Sequence, residues 1–286
     1  MENPNVNNLD LSKMSHYGNV RRLLSFVRRA LDDYDMIEEG DRIAVGVSGG
    51  KDSLALLCAL AELRLFYPKK FELFAIHLNP AFYNAGFCDE ESARKEIEEL
   101  KRFSESLLVP MTVIDTNIAE IVFKVRKEEN PCSLCSRMRR GALHNAAKEL
   151  NCNKMALGHH FDDAVETFVM NLFNEGRIGS FSPVTYLDRR DITIIRPLIY
   201  CPEKSVRYYT KHAEGLPVIS SPCPADRDSE RQRVKDLLYN LEKDYDGLKH
   251  RIFGAMQRAD IDGFGIGDKK PYKDIGNEKK ENDNET

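Results

Sequence analysis

Residues 43 to 53 read Ile-Ala-Val-Gly-Val-Ser-Gly-Gly-Lys-Asp-Ser, and the residue types in this run suit one task, holding an anion. Gly49 and Gly50 let the backbone approach a charged group, and a helix opening near Asp52 would aim unpaired N–H groups at it. Lys51 adds a cation, and Ser48 and Ser53 add hydroxyl donors. The spacing differs from the Walker loop, which needs four residues between its glycines and a Gly-Lys-Ser/Thr ending. The second group of reactive residues is sulfur. Cys132 and Cys135 stand at the expected start of a helix, two residues apart, so both thiols can face one metal or cluster. Cys223 sits between Pro222 and Pro224, in a rigid extended turn that can fix one more sulfur. Zinc would want a second close pair, and Cys58, Cys88, Cys152 and Cys201 supply none; Cys58, Cys152 and Cys201 suit structural roles. A third group is Gly158-His159-His160-Phe161-Asp162-Asp163, where a strand should end and a helix begin. A carboxylate there either caps the helix or holds Mg²⁺ beside phosphates; Asp162 is assigned to the nucleotide side and Asp163 to structure, with His159 and His160 as secondary candidates.

These residues need a scaffold, and the chain supplies an alternating one. Ile43, Ala44, Val45 and Val47 suit a buried parallel strand. Helices are expected at Val20 to Leu31, Leu54 to Leu65, Asp89 to Leu108, Arg139 to Leu150 and Asp162 to Phe173, with strands at Phe71 to Leu78, Met111 to Asp115 and Lys154 to Leu157. The fold expected is α/β, a Rossmann-like, doubly wound, mostly parallel sheet of about five strands with helices on both faces. Ligands of such sheets sit beyond the carboxyl ends of the strands, where the loops at Ser48, His77 and Gly158 emerge. Ser182 to Leu187 and Ile192 to Ile195 should form a hairpin or return to the sheet edge, and Pro202 to Ala259 reads as helices broken at Leu216-Pro217 and Ser221 to Pro224.

The 286 residues carry a net charge of −4, with 42% hydrophobic and 31% charged residues, ordinary for a soluble globular protein. The balance excludes a uniformly basic coat, so a polyanionic partner would be met by local clusters such as Arg21-Arg22, Arg28-Arg29, Arg137 to Arg140 and Arg231 to Arg233. No apolar run is long enough for a membrane span and no export signal is visible, so a cytoplasmic protein is expected, with its seven cysteines read as thiols or ligands rather than disulfides.

The contiguous Ser-Gly-Gly-Lys-Asp-Ser resembles the signature of PP-loop ATP pyrophosphatases, which cleave ATP between its α and β phosphates. Together with Cys-x-x-Cys-Ser-Arg-Met-Arg-Arg-Gly, Ala-Leu-Gly-His-His-Phe-Asp-Asp at 156 to 163, Ile-Arg-Pro-Leu at 195 to 198 and the late Cys223, it resembles the tRNA 2-thiocytidine synthetase family over about residues 20 to 260. The resemblance implies ATP held by Ser48, Gly49, Gly50, Lys51, Asp52, Ser53, His77 and Gly158, and Mg²⁺ on Asp162. It implies a [4Fe–4S] cluster on Cys132, Cys135 and Cys223, leaving one iron without a protein ligand, and thiolation of a cytidine at position 32 of the tRNA anticodon loop. Lys51, Asp162 and Arg139 are the catalytic candidates, and Arg137, Arg139, Arg140, Arg231 and Arg233 the tRNA-binding ones. The sulfur donor would be a cysteine desulfurase persulfide or free sulfide, and a homodimer is allowed. Two departures stand out: Pro224-Ala225-Asp226 occupies the place where many members have another cysteine, and Phe161 replaces a basic residue. The implied organisation is a flexible 1–17, an ATP-binding domain over 18–215, a helical segment over 216–262 carrying Cys223, and a disordered charged tail over 263–286.

In the implied reaction, O2 of the cytosine attacks the α-phosphate and sulfur then displaces AMP at C2. Rival readings are a related enzyme thiolating uridine or a small molecule, an ATP-dependent ligase or amidotransferase, and a non-enzymatic iron–sulfur or zinc protein that senses nucleotide.

Overall fold

The computed structural model describes residues 20–127, 131–225 and 230–267. In chain order the elements are α1 (Arg21–Asp33), β1 (Asp41–Gly46), α2 (Lys51–Leu63), β2 (Phe71–Asn79), α3 (Phe82–Ala85), α4 (Glu90–Ser106), β3 (Met111–Asp115) and α5 (Ile118–Glu120). A π-helical turn (Ile121–Arg126) precedes α6 (Pro131–Glu149), β4 (Lys154–Ala156), α7 (Phe161–Asn174), β5 (Val184–Leu187), β6 (Ile192–Ile195), α8 (Glu203–His212), α9 (Glu230–Asp244) and α10 (Leu248–Arg258). The expected flexible start and most of the charged tail lie outside the described residues.

The α/β sheet has six strands in the order β3-β2-β1-β4-β6-β5. Five are parallel, and only β5 runs antiparallel, as the hairpin partner of β6 at the edge. Chain order therefore reverses between β1 and β4, which leaves a crevice at their carboxyl ends. Burial follows from the sequence pattern. On one face Ala44, Phe74, Ile76, Met155 and Ile194 pack with Ala146 and Ala147 of α6. On the other, α2 packs on β1 and β2 and is itself flanked by α1 and α8. That covering on all sides explains why α2, Lys-Asp-Ser-Leu-Ala-Leu-Leu-Cys-Ala-Leu-Ala-Glu-Leu, is buried at ten of its thirteen positions. By contrast, α4 buries only Ile97, Leu100, Phe103 and Ser104 and shows charge elsewhere; Asp89 caps it by accepting the Ser92 N–H at 2.8 Å.

The described chain falls into two compact units, Met1–His160 with Val184–Ser229, and Phe161–Pro183 with Glu230–Thr286. Residues 216–225, grouped by sequence with the C-terminal helices, lie in the first unit, because the Ile219 N–H bonds the Gly49 carbonyl at 2.9 Å. In the second unit α7 packs against α9 and α10, and the Phe161, Phe253 and Phe264 rings stack into one another at centroid distances of 4.9 and 5.4 Å. No helix among the described residues is long and apolar enough to cross a membrane.

The amino ends of β1 and β4 are tied by a buried charge pair, Lys154 Nζ to Asp41 Oδ2 at 2.8 Å, with side chains 9% and 3% exposed. Asp41 also accepts from the Glu38 N–H and Asn153 Nδ2, each at 2.7 Å, and Lys154 donates to the Met36 carbonyl at 3.1 Å. Removing the cation leaves a buried carboxylate without its counter-charge. Lys154→Met should therefore cost about 3–5 kcal/mol in urea unfolding, and adding Asp41→Asn should recover most of the loss. A single variant as stable as the parent would show that the pair is not what ties β1 to β4.

Candidate functional site

The first unit turns sharply where β1 ends. Gly49 adopts φ +86°, a conformation that a side chain would strain, and Gly50 caps α2 with extended backbone, so the first N–H groups of the helix point outward from its end. A web of hydroxyls holds this turn. Ser53 Oγ donates to the Gly50 carbonyl at 2.9 Å and lies 3.2 Å from both Ser48 N and Ser48 Oγ. The turn is also squeezed from the neighbouring strand, since a Cβ on Gly158, just past β4, would lie 3.2 Å from the Asp52 carbonyl carbon and from Ser53 N. Ser48, Gly49, Gly50, Asp52, Ser53 and Gly158 are thus brought together as expected at the crevice between β1 and β4.

Lys51 is braced from two sides. Its Nζ lies 2.8 Å from Asp52 Oδ2 and 3.2 Å from Glu203 Oε1 at the start of α8. Burial alone lowers its pKa, but the hydrogen bonds and attraction of Asp52 and Glu203 outweigh that and raise it, so Lys51 stays charged. His160 Nε2 stands 3.8 Å from Asp52 Oδ1. Arg207 also reaches Glu203, at 2.9 Å, and helps to hold that carboxylate in place.

Beyond the carboxyl ends of the strands lies a cavity of about 310 Å³. The cradle lends it Ser48 and Gly50, the end of β2 lends His77 and Asn79, and α6 lends Arg139. Residues 219 to 222 close one side. His77 is buried, and its Nδ1 lies 2.8 Å from the Val47 carbonyl, which requires the proton on Nδ1 and leaves Nε2 as an acceptor. Burial chiefly lowers its pKa, the Val47 bond opposes that, and Arg139 adds to the lowering, so the ring is neutral near pH 7. Asn79 is fixed by donating to Asp115 Oδ1 at 2.8 Å and accepting the Ala81 N–H at 2.9 Å.

The three thiols gather beside this cavity. Cys132 and Cys135 occupy the first turn of α6, one helical turn before Arg139, and Cys223 follows Pro222 of the cavity wall. Burial pushes the Cys135 thiol up, Arg139 pulls it down, and Cys223 and Cys132 both push it up, so each of those two sulfurs is felt by Cys135. Yet among the described residues no three His, Cys, Asp or Glu side chains converge tightly enough to grip a single metal ion. Cys132 is solvent-exposed, and Cys135 and Cys223 are half-buried.

The other candidates divide between the units. Arg137 and Arg140 are exposed on α6. Asp162 and Asp163 open α7 in the second unit, where Asp162 accepts from Lys249 Nζ at 2.8 Å. Asp163 accepts from Arg231 at 2.7 Å, and Arg231 also donates to Thr167 at 3.1 Å. Arg233 pairs with Glu230. Behind the aspartates, Glu166 is 2% exposed, and its Oε1 has no hydrogen-bond partner. Sequence reasoning missed Glu203, Ile219, Lys249 and Glu166, because each acquires its role through contacts far along the chain; the one local hint was Pro202 before Glu203, a helix-start signal.

Comparison with known proteins yields a consistent set. Residues 19–241 match a family model described as the PP-loop domain. A tRNA-cytidine(32) 2-sulfurtransferase of Syntrophotalea carbinolica is 40% identical over 240 residues, covering 82% of this chain and 88% of that one. A protein of the same name from Teredinibacter turnerae is 37% identical over 255 residues, covering 88% and 79%. Among solved structures, the U34-tRNA thiolase NcsA from Methanococcus maripaludis with its [4Fe-4S] cluster is similar with a TM-score of 0.65 at 28% identity, covering 83% of this chain and 78% of that one.

Glu166 gives the second unit a pH signature. Burial pushes its carboxyl up to about 7, with Asp163 and Asp162 adding to the rise and Lys235 and Arg231 opposing it. A raised carboxyl pKa means that the folded state holds the proton longer than the unfolded chain does. Stability should therefore fall as pH rises from the unfolded value, about 4.5, through about 7, by an amount on the order of 3 kcal/mol. Glu166→Gln should abolish most of that decline and raise the melting temperature at pH 8; unchanged pH dependence in thermal melts would show that Glu166 is not its source.

Proposed function

The chain belongs to the PP-loop family and, within it, to the tRNA-cytidine(32) 2-sulfurtransferases, and on that footing we propose that it uses ATP to replace O2 of cytidine 32 in the tRNA anticodon loop by sulfur, releasing AMP and pyrophosphate. The observation that carries the reading is that the anion cradle and the segment bearing Cys223 border one cavity, with Cys132 and Cys135 beside it. An activated base and a sulfur source can therefore share one chamber.

In the first half-reaction O2 of the cytosine attacks the α-phosphorus of ATP, forming the base–AMP bond and breaking the bond to pyrophosphate. The N–H groups at the start of α2, the Ser48 and Ser53 hydroxyls and Lys51 surround the phosphates; Lys51 exchanges Asp52 and Glu203 for phosphate oxygens and neutralises the charge growing on pyrophosphate. Asp162 is the proposed ligand of Mg²⁺, which when bound would supply further charge neutralisation. His77, neutral and fixed by Val47, offers Nε2 as an acceptor to the bound nucleotide. In the second half-reaction sulfur bonds to C2 and AMP leaves with the oxygen, a substitution that free oxide would not permit. Cys132, Cys135 and Cys223, three thiols on two segments beside one cavity, would hold a [4Fe–4S] cluster, which when bound would supply the sulfur. Arg139, in the cavity wall, is placed to meet the adenylated base or its phosphate. The proposed sulfur source is free sulfide, or a cysteine desulfurase persulfide whose outer sulfur is reduced to sulfide by thiols; the proposed compartment is the cytoplasm, and a homodimer is compatible with this scheme.

The target base must leave its loop to enter the chamber, which suits a splayed single-stranded nucleotide gripped by its phosphates. Arg137 and Arg140, exposed beside the thiols, are the proposed phosphate contacts, with Arg231 and Arg233 at the start of α9.

Nucleoside analysis of tRNA from cells lacking the gene tests the substrate: loss of 2-thiocytidine is expected, whereas its persistence, or loss of a thiouridine instead, would overturn the assignment. With purified, cluster-loaded protein, Lys51→Ala should slow thiolation by about 10²–10³. Cys132→Ala should abolish thiolation yet leave RNA-dependent pyrophosphate release, and full thiolation by that variant would remove the sulfur-transfer scheme. Affinity for tRNA should fall steeply with salt, and Arg137→Ala and Arg140→Ala should each reduce the logarithmic slope by roughly 0.7–1; a flat response would deny direct phosphate contact.

A further inference from the structure

The peptide unit between Gly49 and Gly50 faces two ways. Its carbonyl accepts the backbone N–H of Ile219 at 2.9 Å, while its N–H lies 3.3 Å from Ser48 Oγ inside the cradle. A peptide group is planar, so the oxygen and the hydrogen turn together. The contact with residue 219 is close: a Cβ on Gly49 would fall 2.9 Å from Ile219 Cδ1 and 3.1 Å from Ile219 Cβ, so the segment lies directly on the turn. From this anchor the chain needs only four residues to reach Cys223. Those residues are stiff. Pro222 and Pro224 fix the backbone on either side of the thiol, and the Cys223 N–H donates to Ser221 Oγ at 3.3 Å. The bond from Gly50 N–H to Ser48 is long for a hydrogen bond, and an anionic phosphate oxygen is the stronger acceptor. When phosphate takes that N–H, the plane of the peptide answers to it, and so does the carbonyl that holds Ile219.

We propose that Ile219 is a positioning residue, whose bond to the Gly49 carbonyl transmits nucleotide occupancy of the cradle to Cys223 and so sets where the third thiol stands relative to Cys132 and Cys135. The inference rests on the reading of the turn as an ATP cradle and deepens it: the Ile219 anchor already stands without a ligand, and nucleotide in the cradle tightens it and with it the placement of Cys223.

The test uses the full chain without a cluster, reduced and anaerobic, alkylated with iodoacetamide in the presence and absence of α,β-methylene ATP and Mg²⁺. Each cysteine peptide is followed by mass spectrometry, and nucleotide binding is measured by calorimetry on the same sample. Bound nucleotide is expected to slow alkylation of Cys223 on the order of fivefold while leaving Cys132 nearly unchanged. Ile219→Ala, which keeps the N–H, should preserve the effect; Ile219→Pro, which deletes it, should bind nucleotide and lose the effect. Unchanged Cys223 reactivity in the parent protein with nucleotide bound overturns the link, and so does full protection in Ile219→Pro, since simple shielding would survive that change. Failure of the parent protein to bind nucleotide overturns the cradle reading itself. If Ile219→Pro does not fold, amide hydrogen exchange over residues 216–223 of the parent protein decides: slower exchange with nucleotide supports the link, and no change refutes it.

Discussion

Backbone must meet backbone at the carboxyl ends of β1 and β4, and most of the chamber's geometry follows from that requirement. Gly49 bends the chain with positive φ directly under Ile219, and Gly158 lies against the main chain of Asp52 and Ser53 closely enough that a methyl group would crowd it. With side chains excluded from these two points, the start of α2 comes within reach of both the loop after β4 and the segment leading to Cys223. The all-round burial of α2 prevents the helix from yielding to the squeeze. The N–H groups at its end are therefore held in position by packing before any ligand arrives, the condition under which fixed dipoles stabilise a developing charge most effectively.

Much of this was legible in the chain. Strands Phe71–Asn79 and Met111–Asp115 stand where alternation and apolar runs put them, the Ser182 to Ile195 region does form an edge hairpin, and helix α6 begins at the cysteine pair. Local signals sufficed because each element is short and its period is clear. Partners brought by distant segments were not legible. Nothing near Lys51 in sequence announces Glu203, and nothing near Gly49 announces Ile219; these meet through tertiary packing, which single-sequence periodicity does not encode. The division into units was hidden for the same reason, since α7 is contiguous with the sheet in sequence and packs with α9 and α10 in space.

The two units treat charge differently. In the first, the titratable groups near the cavity are kept in definite states: Lys51 charged by its carboxylates, His77 neutral by burial, and the Cys135 thiol raised by burial against the pull of Arg139. In the second, acidic residues on one helix are met by basic residues from two others, Asp162 by Lys249 and Asp163 by Arg231. Glu166 is left behind them with its Oε1 buried and unpaired. Phe161, at the start of the same helix, packs against Phe253 and His250.

The carboxylates on Lys51 have a further effect. Asp52 and Glu203 occupy the cation before any phosphate does, so a visiting anion must win it from two internal competitors. An anion that meets the lysine alone gains one contact against that competition, whereas one that also engages the Ser48 and Ser53 hydroxyls and the helix amides gains several. The two carboxylates thus weight the turn toward extended anions by displacement rather than by shape.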